Sequence, residues 1–285
     1  MSNNMFCLRI DLDTAHSTPA ALKNLLPVLE ENRAKASFFI PLGGESNLLE
    51  IAATRGKGPK MASAHPLPKR ELLRMAFSPK NYAEENKELL LGAIKKGSVV
   101  GCHGWKHREW TRSLETLDLR QAFAKMVSKY EELFGFSPTA FAAPGFRWDE
   151  RVLGALDGHG FACGGELPGD RPFRPALGNR RFVHAQVPVN IIGRQARPLV
   201  EDLALEGNED AQIVEAIVER IFEKLDGYGY ACFYAHDYFE CHLKFLIMKK
   251  IVERLAQSGV RFSTVEDAAR DCRFFREISL LEKQG

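Results

Sequence analysis

Residues 5–14 read MFCLRIDLDT: an apolar run, Phe6 to Ile10, that ends directly in two acids, Asp11 and Asp13. A short buried strand that hands reactive side chains to the loop at its exit is the repeating unit of parallel α/β sheets. The pattern recurs along the chain. Ala36–Ile40, Ser98–Cys102, Ala140–Ala143, Phe161–Cys163, Ala185–Val189, Tyr230–Tyr234 and Val260–Ser263 are further apolar runs. Stretches of helical period separate them, at Pro19–Asn32, Leu117–Phe134, Asp210–Leu225 and Leu243–Ser258. The alternation predicts a largely parallel sheet wrapped by helices.

Reactive residues fall just after these runs. His103 and His107 follow SVVGC, Arg147 and Asp149 follow AFAAPG, Glu166 follows FACGG, and His236 follows ACFYA. In a parallel barrel the loops leaving the carboxyl ends of the strands converge on one mouth, so five distant segments are expected at one site.

Composition narrows the class. The 285 residues are 45% apolar and 27% charged, which excludes a disordered or collagen-like chain. With 39 basic and 37 acidic side chains, the net charge of +2 gives no global electrostatic case for nucleic acid. No fixed-period repeat and no Ser/Gly-rich linker divides the chain, so one domain over 1–285 is expected. The start, MSNNMFCLRID, lacks the pattern of a secretory signal, and no apolar stretch is long enough to span a bilayer. A cytoplasmic protein is expected. The six cysteines are scattered without a CxxC pair and are read as reduced, mostly buried thiols.

In CHGWKH, His103 and His107 stand four apart, a spacing that on a helical turn would put both imidazoles on one face and let them grip one metal ion. The spacing alone fits two structural histidines equally well. The paired acids weigh on the other side, because alternate carboxylates at the exit of a buried strand are costly unless they have a task. Asp13 could serve a turn or helix start. A cap needs only one acid, whereas a metal ligand beside a general base needs two.

In order, LRIDLDT, ASFFIPLG, VVGCHGWKH, APGFRWD, RPFRPAL, AQVPVNI and FYAH span most of the chain. Together they resemble the metal-dependent polysaccharide deacetylases (NodB homology, carbohydrate esterase 4-like), in particular a branch that removes formyl from an amino sugar carried on undecaprenyl phosphate. The resemblance implies a single distorted (β/α) barrel of the NodB type and one divalent ion, zinc, manganese, cobalt or iron. It implies Asp13, His103 and His107 as metal ligands, Asp11 as general base and His236 as general acid. Arg147 would orient Asp11, Glu166 would hold the imidazole of His236 protonated, and Trp105, Trp148 and Asp149 would meet the substrate. Other readings of the same motifs are an N-deacetylase of another amino sugar and a non-catalytic glycolipid-binding barrel.

Three features depart from the broader family. Leu12 separates Asp11 from Asp13, Ala142 stands where an RxPxG arginine is usual, and Asp237 and Tyr238 follow His236. The first two are features of the deformylase branch. The segment Arg55–Lys80 is read as a basic insertion, with seven basic residues against Glu71 alone. Mixed with Met61, Leu67, Leu72, Leu73, Met75 and Phe77, its charges would suit an anionic membrane surface that holds a lipid-linked substrate. His16, His65, His159, His184 and His242 are read as structural or solvent-facing.

Overall fold

The computed structural model describes residues 4–55 and 68–270, with the backbone of Glu277–Ser279. Part of the expected basic insertion, residues 56–67 with His65, lies outside the described residues, as does Cys272. The main sheet is eight-stranded and its pairings are all parallel. Its strands are β1 (Met5–Asp11), β2 (Ser37–Ile40), β3 (Val99–Cys102), β4 (Ala140–Phe141), β5 (Cys163–Gly164), β6 (Ala185–Gln186), β7 (Tyr230–His236) and β8 (Phe262–Ser263). They run β6-β5-β4-β3-β2-β1-β7 across the sheet, with β8 paired to the start of β1 at Phe6 and Cys7. Beyond β6, Ile191 bridges Phe233 of β7, so the sheet curls into a half-barrel whose two edges nearly meet.

Period-two alternation sorts β1 into two faces. Phe6, Leu8, Ile10 and Leu12 pack outward against the helices. Met5 and Cys7 pack inward with Phe39, Ala140, Cys163, Cys232 and Tyr234, and Arg9 and Asp11 share that inner face by parity. Every residue of β1 is buried. Each Phe or Leu withdrawn from water on the outer face contributes roughly 1.5–3 kcal/mol.

Helix boundaries follow local chemistry. The helix expected from Leu117 begins at Leu119, because Asp118 accepts from the backbone N–H of Gln121 and caps it. It ends at Gly135 in the left-handed conformation. The Asp210 helix runs to Tyr228, three residues past the expected end, and Gly229 stops it in the same way. The strand expected from Phe161 starts at Cys163, since Phe161 turns outward to pack edge-on against Phe123 and Phe141. Of Ala185–Val189 only Ala185–Gln186 is paired as strand.

Cys7, Cys102, Cys163, Cys232 and Cys241 are buried, and none of them forms a disulfide among the described residues. No described helix is long and apolar enough to cross a membrane.

Candidate metal centre and active site

Strand register assembles the site. Asp11 ends β1 directly opposite His236, the last residue of β7, and His103 follows β3 on the same end of the sheet. The two histidines of CHGWKH do not share one helical face, as the spacing suggested. His103 extends the strand, Gly104 turns the chain at φ 75°, and His107 opens the helix His107–Ser113. The turn brings the rings together by another route, with centroids 5.4 Å apart.

Asp13, His103 and His107 present ligand atoms that all lie within 4.8 Å of one another. Asp13 Oδ1 is 3.3 Å from His103 Nε2, and Asp13 Oδ2 is 3.5 Å from His107 Nε2. His103 Nδ1 lies 2.7 Å from the Ala142 carbonyl, which can only accept. The ring proton therefore sits on Nδ1, and the Nε2 lone pair faces the acids. Both Asp13 Oδ1 and His103 Nε2 are buried without a hydrogen-bond partner. Two electron-rich atoms left facing each other in a buried site fit a cation between them, and an acid with two neutral imidazoles suits a divalent ion.

The protonation states agree with that use. Burial works to raise the Asp13 pKa, but positive charge at His107, His103 and His236 outweighs it and holds the carboxyl well below its ordinary range, a role that a cation would take over once the imidazoles ligate in neutral form. Burial lowers the pKa of His107 despite the pull of Asp13, which favours the neutral imidazole that can ligate.

Asp11 is held by Arg9, which lies two residues earlier on the same inward face. Arg9 Nε donates to Asp11 Oδ1 at 2.9 Å, Nη2 donates to Oδ2 at 2.8 Å, and Nη1 donates to the Gly165 carbonyl at 2.8 Å. The guanidinium also lies 4.7 Å from the ring centre of Phe146 and 5.3 Å from those of Phe39 and Tyr234. Burial works against its charge, yet Asp11 outweighs burial and raises the Arg9 pKa.

Arg147, expected beside Asp11, is elsewhere. Nη1 donates to the Thr111 carbonyl at 2.6 Å and Nη2 pairs with Glu115. The reason is local: Gly145 and Phe146 both take positive φ, 62° and 53°, and the turn sets Phe146, not Arg147, against the guanidinium of Arg9. Sequence reasoning missed Arg9. Its signal was a lone charge inside an apolar run, with an acid two residues on as its same-face partner.

His236 Nε2 lies 2.6 Å from Tyr234 Oη and 3.5 Å from Asp13 Oδ2. Burial alone would lower its pKa, but Asp13, Glu240, Asp11 and Asp237 together raise it, which favours the imidazolium. Glu166 is not among these acids. Its Oε2 accepts from Gln186 Nε2 at 2.8 Å, and burial raises its pKa. The acid next to His236 is Glu240, which accepts from the His236 backbone N–H at 2.9 Å from within a turn of π-helix, Phe239–Leu243. Burial pushes the Glu240 pKa up to about 7.

Asp237, which stood out as a departure, is fully buried and accepts from Ser17 Oγ and Thr18 Oγ1 at 2.9 and 2.8 Å. It ties the loop after β7 to the loop after β1, and burial, with Asp13 adding, raises its pKa to about 6.

The expected substrate residues divide. Trp105 is half-buried against Gly43 and lines a cleft of about 470 Å³ with Glu50, Lys106, Glu109 and Gln121. Trp148 packs between two apolar clusters. Asp149 is taken up as the cap of helix Glu150–Gly158, accepting from the N–H groups of Arg151 and Val152. His184 is buried with Nδ1 2.6 Å from Asp157 Oδ1, and His159 stacks on Phe123. Of the remaining histidines, His16 lies 3.6 Å from Glu71, with the His242 ring 6.1 Å from its own.

Residues 65–164 match the polysaccharide deacetylase family profile. A Shewanella sediminis protein assigned as the 4-deoxy-4-formamido-L-arabinose-phosphoundecaprenol deformylase ArnD is 24% identical over 197 residues. That match covers 65% of this chain and 62% of the relative, so it spans about three fifths of the relative's length. Among solved structures, a candidate polysaccharide deacetylase from Mycobacterium smegmatis superposes with TM-score 0.65 at 13% identity, covering 98% of this chain and 94% of that one. A carbohydrate esterase 4 family pseudoenzyme from Bacillus anthracis superposes with TM-score 0.53 at 13% identity, covering 93% and 65%. Over residues 65–164 the chain is similar to polysaccharide deacetylases by profile, and its fold is shared with solved structures of that kind.

Proposed function

We propose that the protein is a metal-dependent amidohydrolase that removes a formyl group from an amino sugar linked to undecaprenyl phosphate. The observation that carries the chemistry is the convergence of Asp13, His103 and His107 on one point, with Asp11 and His236 flanking it. Fold alone would not suffice, since a pseudoenzyme shares it. The lipid-linked formamido sugar is inferred from the deformylase name of the Shewanella relative and from the resemblance of this chain's ordered motifs to that branch.

A divalent ion held by the Asp13, His103 and His107 side chains would supply Lewis acidity toward the acyl oxygen and make water more acidic. Asp11 is placed to take the proton from water as its oxygen attacks the acyl carbon. His236, kept protonated by its ring of acids, is placed to protonate the amide nitrogen as the C–N bond breaks. Formate and a free amine leave. Arg9 and Tyr234 hold the two proton-transfer groups in place.

An exposed apolar patch supports a membrane-bound substrate. Leu48 and Leu49 lie on helix Leu48–Ala53, which contacts helix Lys69–Phe77 with its exposed Leu72, Leu73 and Phe77; Phe77 is 75% and Leu49 80% exposed. Lys69 and Arg70 are exposed on the same helix. Arg74 of the same helix anchors it through two bonds to Glu45 and also bonds Glu71.

A second reading, N-deacetylation of a longer sugar, draws on the family profile and on the cleft beside Trp105, which is also lined by Lys106, the chain neighbour of His107. The acid released decides. Protein loaded with zinc, manganese, cobalt or iron in turn is given the undecaprenyl-linked formamido sugar and N-acetylated oligosaccharides. Formate from the first supports the proposal, acetate from the second supports the alternative, and neither acid with any metal overturns both.

A further inference from the structure

The site contains two acids beside His103, Asp11 fully buried and Asp13 partly so, and nothing in their chemistry assigns one to the metal and the other to proton transfer. Asp11 Oδ2 is 3.6 Å from His103 Nε2, hardly farther than Asp13 Oδ1 at 3.3 Å. What separates them is their hydrogen bonding. Both oxygens of Asp11 accept from Arg9, at 2.9 and 2.8 Å, while Asp13 Oδ1 is buried with no partner.

We infer that Arg9 is a positioning residue that sorts the two carboxylates, keeping Asp11 out of the metal coordination so that it stays available as the base and Asp13 becomes the acidic ligand. The inference rests on the proposed metal site. It goes further by naming a residue in mid-strand that decides how the site is wired.

The construction around Arg9 leaves its guanidinium one orientation. Two of its nitrogens face Asp11 and the third is held by the Gly165 carbonyl. A Cβ at residue 165 would lie 2.9 Å from Nη1, so glycine there is what lets the strand come close. Phe146 is held near the guanidinium by a backbone in the left-handed region, φ 53°, a conformation bulky residues rarely adopt. Tyr234, 5.3 Å away, carries the hydroxyl that meets His236, so the same cation also braces the neighbour of the proposed acid.

A lysine could offer Asp11 one donor atom, and a methionine none. Once freed, an Asp11 oxygen can swing the short distance to a cation held beside His103.

Cobalt(II) reports this without any substrate, because its visible absorption changes with ligand number and type. Cobalt is titrated into the parent protein and into the Asp11→Asn, Arg9→Lys, Arg9→Met and Arg9→Met/Asp11→Asn variants. In the parent, Asp11→Asn should leave the spectrum unchanged. Arg9→Met should bind cobalt at least tenfold more tightly with an altered spectrum, and adding Asp11→Asn should reverse both changes. Arg9→Lys should shift affinity and spectrum in the same direction by a smaller amount, and it carries the test if Arg9→Met does not fold. Folded Arg9 variants with parental spectrum and affinity overturn the inference, as does a parent spectrum altered by Asp11→Asn. The expected cobalt pattern without hydrolysis of any N-acyl sugar would sink only the proposed function. Hydrolysis with no cobalt response to Arg9 substitution would sink only the sorting role, and a parent that takes up no cobalt would sink both.

Discussion

Tyr234 and His236 share a hydrogen bond of 2.6 Å between the phenol oxygen and Nε2, although both residues lie on one strand. Two residues apart on β7, they point to the same side of the sheet and can touch. Burial raises the pKa of Tyr234 well above its ordinary value and keeps it a neutral phenol. The imidazole is thus aimed by its own strand. Tyr234→Phe should lower kcat about tenfold with little change in KM, and should cost stability only on the order of 1 kcal/mol. Steady-state kinetics and urea unfolding measure the two separately, and an unchanged kcat would show that the phenol plays no part in aiming the ring.

Because Glu240 helps raise the His236 pKa, activity should persist above the usual histidine range and fall as pH rises through the shifted value. Glu240 has its own pKa near 7, so it is ionised on the basic side, where its charge supports the imidazolium. Glu240→Gln should move the basic limb of the kcat profile to lower pH. A limb that stays put, or moves up, would count against His236 as the acid.

Removing metal should destabilise the fold, since Asp13 Oδ1 and His103 Nε2 would again face each other unpartnered. With metal at about a hundred times its Kd, linkage predicts a loss of roughly 2.7 kcal/mol on chelation. A thermal melt with and without EDTA shows it as a lower Tm. His103→Ala should make the melt insensitive to chelator.

Gly101 has no room for a side chain. A Cβ there would lie 2.5 Å from the ring of Phe39, which borders Arg9, and 2.8 Å from the Ala140 carbonyl. Gly101→Ala should destabilise by about 1–3 kcal/mol, the usual range for overpacking a tight interior. Denaturant titration of the variant tests the value.

The apolar patch on helix Lys69–Phe77 should carry the lipid contact together with its exposed charges. Leu73→Ser/Phe77→Ser and, separately, Lys69→Glu/Arg70→Glu should each weaken sedimentation with anionic phosphatidylglycerol vesicles, while hydrolysis of a water-soluble sugar analogue is unchanged. Vesicle binding equal to the parent in both would remove the membrane from the account.

The sheet was legible because buried parallel strands are continuous apolar runs that turn-forming residues interrupt, and each of the eight expected runs contributes a strand. The clustering of Asp13, His103 and His107 was legible because they fall at strand exits. Arg147 and Glu166 were placed by motif position, which carries no information on which way a loop turns. The left-handed pair Gly145–Phe146 sends Arg147 to Thr111, and Gln186 takes Glu166. Arg9 was passed over because mid-strand residues were read as packing. Within a barrel, that same interior is the floor of the site.

That floor gives the chain an odd–even logic. Arg9, Asp11 and Asp13 are consecutive odd positions along β1 and its exit, and Leu8, Ile10 and Leu12 are the even ones. Deleting or inserting a single residue ahead of Arg9 would exchange the two sets, exposing leucines to the cavity and driving an arginine and two aspartates into the helical jacket. Drift in this segment can therefore proceed by replacement but hardly by a change of length.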